Sequence, residues 1–297
     1  MKLGRGGTVT EPVRAERLRI TGYQGLSLAA DRWEPEGERE GTAVFLHGGG
    51  QTRHSWARTA RGLAAQGWRA ITVDARGHGD SSWSRDGVYS LDSFAADLYS
   101  IVDSLDERPV VIGASLGGRA ALVAEGERPG VLAGLVLVDI AARVDPDGQA
   151  RVRRFMGSAP DGFASLEEAA EAVDAYRPGR KSANPDGLQK NLRRRANGRW
   201  YWHWDPNFLA FSADPRNFAV DRLNSAARNV AAPTLVVRGT KSDMVSSEAA
   251  TELIGLVPSA RLVEVAAGHM IAGDDNDMFT AHLGDFLAGV TAPEPLP

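Results

Sequence analysis

One short segment constrains the fold more than any other, because it places a serine between an apolar run and a helix-forming sequence. The string GASLGG at residues 113–118 directly follows the apolar run 109–112 and precedes the helical pattern 119–123. A strand that turns sharply into a helix strains the residue between them, and glycines two positions before and after that residue avoid collisions. The segment therefore predicts that Ser115 is exposed at the carboxyl end of a strand and begins a helix, whose N–H groups can face negative charge.

Short β-branched runs alternate with helical patterns on both sides of this segment. Six runs have the length and composition of strands, at residues 42–46, 69–73, 109–112, 135–138, 234–237 and 262–265. Two earlier runs, 18–20 and 26–30, suggest an antiparallel entry to the same sheet, and residues 55–65 and 94–105 are amphipathic at helical period. This alternation predicts an α/β fold with a mainly parallel sheet flanked by helices.

The alternation stops after Asp139, and residues 142–217 show no strand pattern. Ser165 and Glu168 have the spacing of a capping box, and Asp186 can begin a basic helix that continues through Arg195. We therefore expect a helical cap at 142–217, inserted into an α/β core of 14–141 and 218–290. The Gly- and Pro-rich ends, 1–13 and 291–297, are expected to be loose tails.

Composition and charge disfavour several classes of partner. The 297 residues carry a net charge of -4 without a basic stripe, which argues against nucleic acid and anionic lipid, and the lack of cysteine removes disulfides and thiolate catalysis. No apolar run is long enough for a membrane span or a secretory signal, so we expect a soluble, cytoplasmic protein. Oligomeric state is not indicated.

Two segments rich in His, Asp and Gly resemble metal loops, at residues 74–81 and 273–277. The first lacks the additional spaced ligands that a metal site needs, so a buried structural turn is favoured. The second lacks the glycine and glutamate spacing of a calcium loop, and a helix N-cap before Met278 explains it more simply. We therefore expect neither a metal nor another cofactor.

A serine hydroxyl is a poor nucleophile near pH 7 and needs an adjacent base, which an acid must orient. Of the six histidines, only His269 and His282 follow the last predicted strand, and only His269 lies in the loop that leaves it. The acid is expected after the preceding strand, where Asp243 gives the chain order Ser, Asp, His. Asp139 is the alternative, because it also follows the carboxyl end of a strand.

A tetrahedral intermediate needs two N–H donors for its oxyanion. Leu116, the residue after the serine, is expected to supply one of them. The other is expected from Gly49 in the string HGGG at 47–50, where the backbone can approach an oxyanion without obstruction by side chains.

Aromatic residues are concentrated at the end of the expected cap. We expect them to contribute to an apolar pocket over Ser115 together with Met270, although three tryptophans so close together could instead pin the cap to the core. The candidate pocket tryptophans are Trp200, Trp202 and Trp204.

Five motifs together resemble the α/β-hydrolase superfamily. They are HGGG at 47, DARGHGDS at 74, GASLGG around Ser115, VRGTKSD ending at Asp243 and AAGHMIAGD containing His269. Over about residues 18–287 the chain is similar to the branch that holds cofactor-free haloperoxidase-like esterases, lactonases and C–C bond hydrolases. Ser115 argues against dehalogenases and epoxide hydrolases, which use an aspartate nucleophile. Gln51 and Thr52, where C–C hydrolases usually have Pro-Gly, disfavour that activity.

The resemblance implies a serine hydrolase that cleaves a small apolar carboxylic ester or lactone through an acyl-enzyme. Ser115 would attack, His269 would carry the proton and Asp243 would orient the histidine. A C–C bond hydrolase or perhydrolase with the same triad is an alternative. A non-catalytic receptor for a small molecule, like the plant hormone receptors that resemble this family, is another.

Overall fold

A twisted eight-stranded sheet forms the centre of the molecule in the computed structural model, which describes residues 14–176, 183–271 and 277–290, apart from the side chains of Ser212 and Asp277. The strands are β1 (Glu16–Thr21), β2 (Ser27–Trp33), β3 (Gly41–Leu46), β4 (Trp68–Val73), β5 (Val110–Ala114), β6 (Gly134–Val138), β7 (Leu192–Arg194), β8 (Trp200–Trp202), β9 (Thr234–Gly239) and β10 (Ala260–Val265).

The sheet has the order β1-β2-β4-β3-β5-β6-β9-β10. Strand β2 pairs antiparallel with both β1 and β4, whereas β4, β3, β5, β6, β9 and β10 are parallel, which confirms the predicted antiparallel entry and mainly parallel sheet. The carboxyl ends of six strands therefore meet at one edge. Ligands of open parallel sheets bind at this edge.

Helices cover both faces of the sheet. They are α1 (Ala57–Ala64), α2 (Leu91–Asp103), α3 (Leu116–Glu127), α4 (Pro146–Met156), α5 (Leu166–Tyr176), α6 (Pro185–Leu188), α7 (Phe208–Ala213), α8 (Val220–Asn229), α9 (Ser247–Leu256) and α10 (Asp277–Ala288). Helices α2, α3 and α8 share one apolar core with the sheet, and α1 and α10 share the other. Strands β5 and β6 are buried at every position, as expected for strands covered on both faces.

The segment between β6 and β9 contains more than helices. It holds α4 to α8 and also a small antiparallel pair, β7 with β8, in which Leu192 lies opposite Trp202. The expectation of an insertion without strands is therefore wrong. Each of these strands has only three residues, too few for the two-residue alternation that marks a strand in sequence.

The predicted basic helix from Asp186 to Arg195 is also wrong. Helix α6 ends at Leu188, and Asn184, not Asp186, caps it by accepting a hydrogen bond from the Asp186 N–H at 3.2 Å. The chain then enters β7, where Leu192 is buried against the core. Tertiary burial here outweighs the high helix propensity of the arginines.

Several sequence expectations fall outside the described residues. The predicted tails, 1–13 and 291–297, and most of the acidic segment 273–277 lie there. Within the described ranges, no helix is both long and apolar enough to cross a membrane.

Candidate active site

Ser115 lies at the sharp turn between β5 and α3. Its backbone has φ 46° and ψ -108°, a positive-φ conformation that is uncommon for a residue with a side chain. A Cβ atom at Gly113 would lie 2.6 Å from the Gly117 carbonyl oxygen, and one at Gly117 would lie 2.5 Å from Leu46 Cβ. Close backbone approach therefore requires both glycines, and the turn directs the Ser115 side chain into a cavity.

His269 lies in the loop after β10 and lines the same cavity as Ser115. Its Nδ1 atom is 2.6 Å from Oδ2 of Asp139, whose side chain is almost completely buried. A carboxylate can only accept from the ring, so Nδ1 carries the proton and Nε2 is left to take one from a hydroxyl. One cavity therefore holds a serine together with a histidine bonded to a carboxylate, which are the residue types that activation of a serine nucleophile requires.

Asp139 follows β6, and several hydrogen bonds hold its carboxylate in place. Its Oδ1 accepts a hydrogen bond from the Gly239 N–H at 2.9 Å, and its Oδ2 also accepts from Ser242 Oγ at 2.6 Å. These donors and the histidine satisfy both oxygens of a buried carboxylate, which would otherwise be very unfavourable. Asp139 has a positive φ of 50°, so a second strained residue lies at this edge of the sheet.

The expectation that Asp243 faces His269 is wrong. The Asp243 carboxylate instead pairs with Arg151 of α4, and both side chains are substantially exposed. The reason is the sheet order: β6 and β9 are adjacent parallel strands, so the loops that follow them end at the same place. Ser242 turns toward the histidine site, and Asp139, the alternative carboxylate, occupies the position beside His269.

The glycine loop after β3 lines the cavity opposite the serine turn. Gly48 donates its N–H to Gln51 Oε1 at 3.0 Å, and Gly50 donates to His78 Nε2 at 3.1 Å. Within the described part of the chain, Gly49 is therefore the glycine of this loop whose N–H has no protein acceptor. Leu116 begins α3, where backbone N–H groups lack helical acceptors. Both residues line the cavity, where two donors for an oxyanion are needed.

Three buried histidines contact the backbone of this loop. His47, His78 and His203 are almost completely buried, and the His78 ring centroid lies 5.3 Å from that of His47 and 5.8 Å from that of His203. Burial lowers the pKa of all three, to about 3 for His78. The rings are therefore neutral.

The neutral rings form hydrogen bonds mainly to the backbone. His203 Nδ1 accepts from the Gly79 N–H at 2.7 Å, and its Nε2 lies 3.3 Å from the Gly50 carbonyl oxygen. Since His78 binds the Gly50 N–H, two histidines hold one peptide unit on each side of Gly50. Sequence reasoning assigned no role to His203, because its partners lie more than a hundred residues away.

The cavity beside Ser115 is small and mainly apolar. Its volume is about 100 Å³. The apolar walls come largely from the segment between β6 and β9, and they include Val152, Met156, Phe208, Phe211 and Phe218. Met156 and Phe218 were not among the expected pocket residues, since neither belongs to a recognisable motif.

Comparison with known proteins identifies the family of this chain. A family model described as the alpha/beta hydrolase fold matches residues 43–275. The chain belongs to the α/β-hydrolase family. Esterase Rv0045c of Mycobacterium tuberculosis is similar to this hydrolase, with 31% identity over 268 residues, 84% of this chain and 83% of the relative.

Two further comparisons extend over most of the hydrolase. A solved structure of the M. tuberculosis esterase superposes with a TM-score of 0.69 at 28% identity and covers 94% of each chain. The mouse sn-1-specific diacylglycerol lipase ABHD11 is 29% identical over 261 residues, 82% of this chain and 80% of the relative. The protein is thus an α/β hydrolase whose relatives include esterases and lipases.

A second, larger cavity of about 790 Å³ lies beside the first in this hydrolase. Trp202 and Trp204 stack at 4.9 Å and line this second cavity, and Met270 lines both cavities. Trp200 lines neither of them. It lies at the start of β8, where its backbone bridges to Phe163 and the Arg194 guanidinium lies 5.9 Å from its ring centroid.

The turn at 74–81 is buried and held by ion pairs. Asp74 accepts hydrogen bonds from the backbone and guanidinium of Arg53, and Arg76 pairs with Asp97 at 2.6 Å. Asp80 also donates its backbone N–H to Asp74. Among the described residues, no group of three or more His, Asp or Glu side chains is arranged to hold a metal ion.

Proposed function

We propose that this hydrolase cleaves apolar carboxylic esters or lactones through an acyl-enzyme formed on Ser115. The observation that carries the proposal is the hydrogen bond between His269 and Asp139 in the cavity that also holds Ser115. A histidine oriented by a carboxylate beside a strained serine turn is the arrangement that acyl transfer requires. The related esterase and lipase support the same reaction class.

In the first half of the reaction, Ser115 Oγ attacks the carbonyl carbon while His269 Nε2 takes the hydroxyl proton. Negative charge develops on the carbonyl oxygen, and the N–H groups of Gly49 and Leu116 stabilise it. The C–O bond to the alcohol then breaks, and His269 returns the proton to the departing oxygen. Asp139 stabilises the imidazolium form of His269 in both steps.

In the second half, water attacks the Ser115 ester and gives its proton to His269. The new tetrahedral intermediate uses the same two N–H donors. Its collapse breaks the bond to Ser115 Oγ, which regains its proton from His269 as the carboxylic acid leaves. For a lactone, the alcohol and the acid remain on one molecule.

The test combines turnover with labelling of the serine. We expect hydrolysis of p-nitrophenyl acetate or butyrate, a fluorophosphonate adduct on Ser115 by peptide mass spectrometry, and a loss of several powers of ten in Ser115→Ala. Turnover is expected to survive dialysis against EDTA. An adduct on another serine would refute the assignment, and tight binding of esters without any turnover would favour a receptor.

The same assay separates the other activities that this triad supports. Faster cleavage of a vinylogous diketone than of any ester would identify a C–C bond hydrolase. Peracid formation from acetate and hydrogen peroxide at a rate above ester hydrolysis would identify a perhydrolase. Either result would replace the ester proposal.

A further inference from the structure

We propose that the substrate is an ester of a short acid and a bulky apolar alcohol, with the acyl group in the small cavity and the alcohol in the large one. This inference rests on the proposed function, since it assigns the two halves of an ester. It starts from the position of the two cavities, which share the lining residues Gln51, Tyr176 and Met270.

These shared residues form a constriction between the cavities. The Gln51 side chain is buried, its Oε1 accepts the Gly48 N–H at 3.0 Å, and its Nε2 lies 3.3 Å from the sulfur of Met270. Gln51 thus connects the glycine loop to the loop that carries His269. A substrate that reaches from Ser115 into the large cavity must pass this pair.

The reaction itself decides which half of the ester passes the constriction. The departing oxygen must lie within reach of His269, because His269 gives it a proton. His269 lines the small cavity, Met270 lines both, and Ile271 lines only the large one, so the chain runs from the small cavity toward the large one at this point. The alcohol therefore leaves toward the large cavity, and the acyl group lies on the other side of Ser115, against Met156 and Phe208.

The sizes of the cavities fit this division. Sites that enclose a drug-sized ligand usually measure about 300–1,000 Å³. The small cavity, at about 100 Å³, is well below that range, whereas the large one, at about 790 Å³, is within it. Part of the large cavity is lined by aromatic rings, namely Phe155, Tyr176, Trp202, Trp204 and Phe279, and polar side chains such as Arg58, Arg61 and Lys190 line the rest. A flat apolar alcohol suits such walls.

Gly62 offers a way to fill the large cavity without touching the small one. It lies in α1, lines the large cavity, and a Cβ atom there would meet no other atom within 4 Å. Gly255, in α9, has equally open surroundings but lines neither cavity. Because glycine is a poor helix residue, a larger residue at either position is compatible with folding.

The experiment compares Gly62→Phe with Gly255→Phe on three esters: methyl acetate, 1-naphthylmethyl acetate and p-nitrophenyl octanoate. We expect the native protein to prefer the naphthylmethyl ester. Gly62→Phe should lower kcat/KM for that ester at least about tenfold, the lower limit for a change in pocket shape, and leave methyl acetate unaffected. Gly255→Phe should change none of the three.

Two results would overturn the assignment. In one, Gly62→Phe lowers hydrolysis of the octanoate but not of the naphthylmethyl ester, which would place the acyl chain in the large cavity. In the other, Gly62→Phe and the smaller Gly62→Leu leave all three esters unchanged while both melt like the native protein. If the native protein hydrolyses none of the esters, the proposed function itself fails, and that is apparent before any variant is made.

Discussion

Four histidines lie near the glycine loop at 48–50, and one of them is held differently from the other three. His269 is partly exposed and its Nδ1 faces the Asp139 carboxylate. His47, His78 and His203 are almost completely buried and are bonded to backbone groups. A carboxylate partner stabilises a charged ring, whereas burial among peptide groups favours a neutral one. The same residue type is therefore bonded to a carboxylate beside Ser115 in one place and supports the glycine loop in the other.

The largest effect is expected when the carboxylate that faces His269 loses its charge. Asp139→Asn keeps the shape of the side chain but favours the wrong histidine tautomer, so kcat should fall by about 10⁴. The matched variant is Asp243→Asn. The native Asp243 carboxylate pairs with Arg151 and not with His269, so this variant should keep kcat near its native value. Steady-state hydrolysis of p-nitrophenyl butyrate measures both. A collapse in Asp243→Asn with an active Asp139→Asn would reverse the assignment.

A smaller loss is expected when Asp139 loses one of its donors. Ser242→Ala removes the hydroxyl that lies 2.6 Å from Asp139 Oδ2. A hydrogen bond to a charged group contributes about 1.5–3 kcal/mol, so kcat should fall about tenfold or more if that bond supports the charged histidine. Ser242→Thr retains the hydroxyl and should restore most of the rate. Equal rates in the alanine and threonine variants would argue that Ser242 has no positioning role.

The buried histidines should make stability depend on pH. Their pKa values are below the unfolded value of about 6.5, so the unfolded chain binds more protons as the pH falls below that value. The free energy of unfolding should therefore decrease from about pH 6.5 downward. Each histidine contributes a slope of up to about 1.4 kcal/mol per pH unit, and the contribution of His78 extends toward its pKa of about 3.

Urea unfolding between pH 4.5 and 7.5 measures this slope. His78→Gln keeps an acceptor for the Gly50 N–H but cannot take up the proton, so its slope should be smaller by about one histidine's share. Other groups that titrate in this range are common to both proteins and cancel in the difference. Identical slopes would mean that His78 is protonated in the folded state.

The smallest effect is expected for the stability of the protein when Asp243, which does not contact His269, loses its charge. The Arg151 and Asp243 side chains are exposed by 49% and 34%, and such pairs contribute about 0–1 kcal/mol. Asp243→Asn should therefore lower the free energy of unfolding by no more than this amount. A loss of several kcal/mol on urea unfolding would show that Asp243 anchors α4 against the core, and the contrast with Asp139 would need revision.

Sequence reasoning predicted the eight strands of the central sheet and placed Ser115 after β5 and His269 after β10, as the structure does. Local signals suffice for this, because the glycine spacing and the preceding apolar run both belong to the turn itself. The carboxylate was assigned wrongly because chain order does not reveal which strands are neighbours. Strands β6 and β9 are adjacent in the sheet although almost a hundred residues separate them, so either of the loops after them can face His269.

The segment between β6 and β9 was predicted less well for a related reason. Its two strands have three residues each, and such short strands show no periodic pattern from which their pairing could be predicted. The role of His203 similarly depends on Gly79 and Gly50, which are distant in sequence. Such features become visible only when the chain is folded.

The hydrogen bonds of His203 also set a condition for exchanging this segment between relatives. His203 belongs to the segment between β6 and β9, yet it accepts the Gly79 N–H and contacts the Gly50 carbonyl oxygen, which both lie before β5. A grafted segment that lacked an equivalent acceptor and donor would leave the buried Gly79 N–H and the half-buried Gly50 carbonyl oxygen without these partners, and it would release one side of the glycine loop. A chimaera that aims to change substrate selectivity must therefore transplant this one histidine together with the pocket.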